Sequence, residues 1–357
     1  MRRILFKIPF FWFFYSFGWP KVLPANYTFS LTFKCNSRCL TCNIWQKSEE
    51  GELTQAEWQK IFLALGKSPY WVTLSGGEPF LRKDLIEIVK NLCQICQPKI
   101  ITIPTNGIST AKIQKDVQAI LKGCPKTRLI INLSLDGIGE KHDQIRGVKG
   151  NFDKAMATYK KLKRIKSRNF VLGIHTVISR ENVKDFSEIC DFVLDQLKPD
   201  SYVTEIAEQR VELETMGKDI TPSLENYQRA VDYLEQKMRR QKLKGFFKLT
   251  QAFRFTYYDL VKKIMEKKAQ VIPCYAGILS CQIASNGDVW QCCVRADVLG
   301  NLKKENFDFS KIWFSKKADK IRKSIKNREC YCPLANASYT NVLMSPTSMT
   351  KVIFNFF

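Results

Sequence analysis

Histidine is scarce in this chain: two among 357 residues, His142 and His175. Neither lies near the cysteines that open the first half, so Cys/His zinc-finger spacing is excluded there. Acid is also in short supply, with 34 Asp+Glu against 57 Lys+Arg and a net charge of +23. Such an excess fits a solvated basic surface, or an anionic partner: membrane lipid, nucleic acid or a phosphorylated substrate. No RNP, helix-turn-helix or zinc-finger pattern is present, so nucleic acid is the least favoured of these. No G-x-G-x-x-G follows the first strand, which counts against an open dinucleotide-binding sheet. No internal repeat or low-complexity tract breaks the chain.

A long uninterrupted hydrophobic run is missing too. "MRRILFKIPFFWFFYSFGWPK" starts basic and turns aromatic, but Lys7 and Pro9 break it. It is short of the roughly 20 apolar residues of a spanning helix. No small-residue cleavage site follows, as a signal peptide would need. Two readings stay open for residues 1–22. One is a peripheral membrane contact, with Phe and Trp in the interface and Arg2, Arg3, Lys7 and Lys21 near anionic head groups. The other is an extension packed over a barrel opening. The apolar end "KVIFNFF" is expected to dock beside it.

Cysteine, by contrast, is abundant, with thirteen residues. A secreted disulfide scaffold would be small and loop-rich, and this chain is neither. Clustered thiols in a long α/β chain point to metal and a reducing, cytoplasmic setting, with membrane association left open.

From residue 27 onward, nearly all-apolar strand patterns alternate with helical ones. "YTFSLTFK", "YWVTLSGG", "KIITIPTNG", "RLIINLSLDG", "FVLGIHTVIS" and "PDSYVTEIAEQ" read as six strands. Helical spacing fills the gaps, with Thr54 a cap for "TQAEWQKIFLAL". This order implies parallel βαβ units with chemistry at the strands' C-terminal ends. Five segments follow: an extension at 1–24, a core at 25–215, a connector of two helices at 216–270, a cysteine-rich unit at 271–340 and a tail at 341–357.

Cys35, Cys39 and Cys42 place three thiols within eight residues. Structural zinc and iron–sulfur centres usually take four ligands. Three thiolates on a cubane would leave one iron open. The C-x3-C-x2-C loop after a first strand resembles the signature of the radical SAM superfamily, over about residues 27–210. The resemblance implies an α/β fold, a partial (β/α)6 TIM-like barrel. It also implies that Cys35, Cys39 and Cys42 hold a 4Fe-4S cluster that binds S-adenosylmethionine. Ser75, Gly76, Gly77, Glu78 and Pro79, in "LSGGEPF", then correspond to the segment that receives the cofactor's amino group. Asn106 ends the third strand. Ser134, Asp136 and Arg146 follow the fourth, Ser134 as a polar contact to the cofactor and Arg146 as a partner for its carboxylate. Thr41 departs from the aromatic residue that many members carry before the third cysteine, so the adenine contact has no assigned residue. His142 reads as structural. His175 faces either the lumen or the helices, and Glu205 is placed to face the lumen.

A second set runs from Cys274 through "IASNGDVWQCC" to Cys330 and Cys332, with Asn286-Gly287 as a hairpin turn. It resembles the SPASM/twitch extension of the same superfamily, a small C-terminal α+β cysteine-rich domain. Cys274, Cys292, Cys330 and Cys332 would supply one complete auxiliary 4Fe-4S site, the count of the shorter twitch form. Cys293 is the alternative to Cys292, Cys281 is a spare, and a zinc knuckle from the same four thiols stays open. Cys93 and Cys96 read as buried small residues of an outer helix.

The chemistry implied is reductive cleavage of S-adenosylmethionine to a 5′-deoxyadenosyl radical. Hydrogen abstraction and oxidative modification of a substrate would follow. A peptide or protein is the first expectation, and a sugar, lipid-linked glycan or small alcohol the alternative. A reductant such as flavodoxin or ferredoxin would be the partner. The rival class is a non-enzymatic iron–sulfur electron carrier or zinc protein, against which the SGGEP and SLDG segments argue.

Overall fold

Alternation in the first strand sets the architecture. In β1 (Asn26–Thr32), Tyr27, Phe29 and Leu31 are fully buried and face the helix layer. Their neighbours Thr28 and Ser30 face the opposite, concave side. The same rule repeats through β2 (Trp71–Gly76), β3 (Ile100–Thr105), β4 (Arg128–Ser134), β5 (Phe170–Ile178) and β6 (Ser201–Ile206). All six pair in parallel and in sequence order. Parallel strands need long crossovers, and helices supply them. They are α1 (Ile8–Phe17), which precedes β1, then α2 (Gln55–Leu65), α3 (Leu85–Ile95), α4 (Thr110–Gly123), α5 (Glu140–Arg146), α6 (Asn151–Lys163) and α7 (Phe186–Asp191), whose last turn widens to π geometry. The computed structural model describes Ile4 and residues 6–357. Arg2 and Arg3, expected near head groups, lie outside the described residues.

Local signals place the helices where the pattern puts them. Thr54 caps α2 through a reciprocal box, its hydroxyl accepting from Glu57 N and the Glu57 carboxylate accepting from Thr54 N at 2.8 Å. Such a cap contributes about 1 kcal/mol. Between β4 and α6 the chain forms the seven-residue α5, closed by Gly147 in the left-handed region.

The connector forms α8 (Leu224–Arg239) and α9 (Gly245–Lys267). Phe246 and Phe247, in the first turn of α9, close the N-terminal end of the barrel against Trp71, Ile100, Ile130 and Val171. The C-terminal part then rejoins the sheet. Strand β7 (Ser280–Ile283) pairs in parallel with β1, and β8 (Asp288–Trp290) and β9 (Val298–Asn301) add antiparallel to it. One sheet results, in the order β6-β5-β4-β3-β2-β1-β7-β8-β9. The cysteine-rich region is therefore continuous with the barrel sheet.

Four more helices finish the chain: α10 (Phe309–Trp313), α11 (Lys316–Lys326), α12 (Ala335–Met344) and α13 (Pro346–Phe356). The apolar tail docks on α9, where Val352 shares a cluster with Ala252, Leu260 and Ile264, and not beside α1 as expected. Helix α1 packs Phe11 and Phe14 against Ala25, Tyr275, Leu279 and Met344.

Candidate active site

The three N-terminal thiols lie on one loop beyond β1, braced from several sides. Glu52 accepts from Phe33 N at 2.6 Å and from Thr32 Oγ1 at 2.9 Å, which fixes how the chain leaves the strand. Arg38 N and Leu40 N donate to Arg146 O and Ile145 O, each at 2.9 Å, so the end of α5 carries the loop's middle. Gly147 follows with φ +64, and a Cβ there would stand 2.4 Å from Arg38 O. Only glycine allows this approach. Cys42 N closes a turn onto Cys39 O at 3.1 Å. Burial pushes the Cys35 thiol up to about 11 and the Cys42 thiol up to about 12, and the Cys39 thiol also moves up. Cys35 and Cys42 each feel the charge of Cys39, but among the described residues no three His, Cys, Asp or Glu side chains come close enough to hold a metal ion.

The Gly-Gly-Glu-Pro segment serves the loop before it can serve a ligand. A Cβ on Gly76 would stand 2.2 Å from Thr32 O, and one on Gly77 would stand 2.1 Å from Lys34 O. Gly77 N and Glu78 N donate to those same carbonyls. The close neighbour that requires the glycines is therefore the cysteine loop itself. Glu78 is buried, and its carboxylate accepts from Asn106 N at 2.7 Å, Thr105 Oγ1 at 2.9 Å and Phe80 N at 3.2 Å. Desolvation raises its pKa against those three donors. It fastens the end of β2 to the end of β3, with Ser75 half-buried and Pro79 buried beside it.

Asn106 extends the brace. Its Nδ2 donates to Asn36 Oδ1 at 2.7 Å and Ser37 Oγ at 3.0 Å, both between the first two cysteines. Ser134, half-buried at the end of β4, lies on the concave side by the alternation of that strand. Asp136 is buried, accepts from Val177 N at 2.9 Å, and pairs with Arg146 Nη1 at 2.9 Å. Arg146 is thus committed to Asp136 within the protein. Its charge lies close enough to pull the Cys35 and Cys39 thiols down against their burial. His142 is fully buried and accepts from Asp136 N through Nδ1 at 3.2 Å. Burial and the Arg146 charge hold its pKa down at about 4, so it is a neutral structural acceptor.

A polar group lines the lumen. His175 and Glu205 both face inward, with Nε2 and Oε1 3.8 Å apart. Arg210 Nη2 reaches the same Glu205 oxygen at 3.2 Å. Glu212, buried nearby, accepts from Gln282 Nε2 of β7 and from Ser30 Oγ of β1. Burial raises the Glu212 pKa, opposed by the Arg210 charge. The signal was the charged stretch "EQRVELE" directly after an apolar strand, where a solvated loop is the ordinary reading. The same segment touches both cysteine regions. Leu213 O accepts from Asn43 N, next to Cys42, and Glu212 N donates to Cys293 O.

The second set shares one cavity. Cys274, Cys292, Cys330 and Cys332 line one cavity together with Ile264 and Arg295. Burial pushes the Cys274 thiol up to about 11, and it feels the charges of Cys292 and Cys330. Arg295 Nη1 donates to Cys330 Sγ at 3.8 Å. A smaller cavity runs from Cys292 and Cys332 to Asn26, Thr28 and Gln282, so this site borders the barrel interior. Cys293 is buried and interacts with Glu212 and Arg210, while Cys281 sits in the main core. Cys96 is a core residue and Cys93 lies beside Thr127 on the outer layer.

Comparison with known proteins agrees with this geometry. Residues 29–193 match the model of the radical SAM superfamily and residues 274–333 that of SPASM, an iron–sulfur cluster-binding domain. The chain therefore carries the domain of a radical SAM enzyme followed by a C-terminal SPASM domain. It is 27% identical to the Fe-coproporphyrin III synthase of Methanosarcina barkeri, over 84% of this chain and 76% of that protein. It is 24% identical to the antilisterial bacteriocin subtilosin biosynthesis protein AlbA of Bacillus subtilis, over 80% of this chain but only 59% of AlbA. Streptococcus suis SuiB, solved with S-adenosylmethionine bound, shares the fold with a TM-score of 0.61 at 18% identity, over 84% of this chain and 68% of SuiB.

Proposed function

We propose that this enzyme oxidatively modifies a peptide or protein, using S-adenosylmethionine at the Cys35, Cys39 and Cys42 loop and an auxiliary 4Fe-4S cluster at Cys274, Cys292, Cys330 and Cys332. The observation that carries the reading is the arrangement of the two thiol sets. Three thiols sit at the C-terminal mouth of the barrel, and four more line a cavity bordering the same interior. Seven thiols divided into three and four suit one cubane with an iron left open and one with its four thiolate ligands complete. The rigid brace of Gly77, Asn106 and the end of α5 suits a centre whose fourth iron is left to the cofactor.

Once bound, the clusters and S-adenosylmethionine supply a 5′-deoxyadenosyl radical for hydrogen abstraction and an acceptor for the second electron. The chain's residues do the rest. Asp136 and His142 fix the turn that carries Arg146. Ser134 and Ser75 offer polar groups at the mouth. His175, backed by Glu205 and Arg210, is placed to take the proton that leaves when the substrate radical is oxidised. A reductant such as flavodoxin or ferredoxin supplies the first electron.

The peptide reading is supported by the similarity to AlbA, whose name gives it a role in bacteriocin biosynthesis. A second reading, a porphyrin substrate, is favoured by the match to the Fe-coproporphyrin III synthase over most of both chains. The test is anaerobic reconstitution with dithionite and S-adenosylmethionine, followed by measurement of 5′-deoxyadenosine. It is run with short peptides encoded beside the gene and, separately, with iron coproporphyrin III. Faster cleavage with a modified peptide supports the first reading, and faster cleavage with porphyrin replaces it with the second. No 5′-deoxyadenosine from a chain with its iron in place would sink both.

A further inference from the structure

Helix α1 is apolar all the way round, and the protein covers only one side of it. Ile8, Phe11, Phe14 and Tyr15 turn inward. Phe10, Phe13 and Phe17 form a stripe on the opposite face, spaced by three and four residues, and are 50%, 45% and 70% exposed, while Phe6, in the turn before the helix, is 76% exposed. Trp12 and Trp19 flank the stripe at 46% and 74% exposure. A helix that is apolar on every face normally lies in a protein core or in lipid. At ten residues α1 is about 15 Å long, half the hydrocarbon thickness. No described helix is long and apolar enough to cross a membrane.

The charge around the stripe selects the occupant. The first 48 residues contain no Asp or Glu, the first acid being Glu49. Helix α11 abuts α1: Lys326 Nζ donates to Ser16 O at 2.8 Å, and the Arg322 guanidinium lies 5.1 Å from the Phe14 ring. Lys316, Lys317, Lys320, Lys323 and Lys326 are all exposed along α11, with Asp319 its one acid. A second copy would bring the same cationic rim against this one. An anionic bilayer surface offers the opposite sign and an interface suited to Phe and Trp.

We propose that the outer face of α1, with the lysines of α11, seats the enzyme on an anionic lipid surface. The contact is peripheral and independent of the substrate reading. It also sets an orientation. Ala25 and Tyr70, which pack with α1, precede β1 and β2, whereas the cysteine loop and Gly76–Pro79 follow them. The anchored end is therefore opposite the barrel mouth, which faces away from the lipid and takes its substrate from the aqueous side.

The full chain is mixed with phosphatidylcholine vesicles and with vesicles containing about a third phosphatidylglycerol, and binding is read by co-sedimentation. Binding to the anionic vesicles should be at least about tenfold tighter and should weaken with salt. Phe10→Ser/Phe13→Ser/Phe17→Ser should lose roughly tenfold or more. Lys317→Glu/Lys320→Glu/Lys323→Glu leaves the aromatic stripe intact and should weaken binding to the anionic vesicles alone, which decides the matter if the serine variant does not fold. The proposal is overturned if the wild-type chain ignores anionic vesicles or if a folded variant of either kind binds them as tightly as wild type. It also fails if light scattering shows a dimer that the serine variant converts to monomer while vesicle binding is unchanged.

Discussion

Arg146 Nη1 lies 2.9 Å from Asp136 Oδ2, and this buried pair stands directly behind the cysteine loop. The backbone of Arg146 carries that loop through Arg38 N, while its side chain neutralises Asp136. Removing the cation leaves a buried carboxylate unpaired, at a cost of about 3–5 kcal/mol. Arg146→Ala should therefore lower urea stability by about that much, and Arg146→Ala/Asp136→Asn should recover part of the loss. Equal stability of the two variants would show that the pair does not couple.

The glycine pair makes a sterically explicit prediction. A methyl group at Gly77 would meet Lys34 O at 2.1 Å, with backbone on both sides and no flexible side chain to yield. Gly77→Ala should cost about 2–4 kcal/mol and reduce iron uptake by the first site. A thermal melt unchanged from wild type would mean that the loop shifts freely. Gly123, where a methyl group would meet only the flexible Lys90 side chain, is the control position.

Cys292 and Cys293 are adjacent in sequence but separate in the fold. Cys292 shares the cavity with Cys274, Cys330 and Cys332, while Cys293 turns toward Glu212 and Arg210. Cys292→Ser should drop iron from about eight to about four per chain, and Cys293→Ser should leave it near eight. The reverse result would move the ligand by one residue.

The strands were readable because each carries an apolar face and short, regular spacing between helices, and the helices because their caps and periodicity are local. The thiol sets were readable from spacing. What was hidden is long-range. Ser280–Ile283 is four residues long, too short to announce that it extends the sheet at β1. His175 takes its inward orientation from the register Ser134↔His175, which no local pattern encodes. For Gly76 and Gly77, the carbonyls of residues 32 and 34 that stand against them belong to another strand and its loop, and no local pattern announces that contact. The pairing of Arg146 with Asp136, ten residues earlier, is brought about only by the turn that α5 makes.

Acid should loosen the turn behind the cysteine loop. His142 has a folded-state pKa of about 4, against about 6.5 when unfolded. The unfolded chain therefore binds more protons between these values, and stability contributed by neutral His142 is lost as pH falls from about 6.5 toward 4. The loss is at most about 3 kcal/mol. The melting temperature of wild type should fall over this window, and that of His142→Gln should fall less. Parallel slopes would assign the acid sensitivity elsewhere.

His175 and Glu205 should act after hydrogen abstraction. His175→Asn or Glu205→Gln should leave 5′-deoxyadenosine formation largely intact while product falls by about 10²–10⁴-fold, because only the later proton transfer is touched. Loss of both in parallel would make the pair a binding element.

Asn43 offers the last test, of how the two thiol sets are joined. Its Nδ2 donates to Glu214 O at 2.9 Å, its N donates to Leu213 O at 2.9 Å, and its Oδ1 accepts from Lys218 Nζ at 2.9 Å. Two residues back along that segment, Val211 N donates to Val294 O at 3.1 Å, beside Cys293. A single strap therefore ties the loop of Cys42 to the loop of Cys292. Asn43→Ala keeps every thiol but removes both side-chain bonds, each worth about 1 kcal/mol. Faster hydrogen exchange is expected at Val211 and Glu212, whose partners lie on the far loop, as well as near residue 43. Exchange confined to the neighbourhood of residue 43 would mean that the strap transmits nothing and that the two sites are positioned independently.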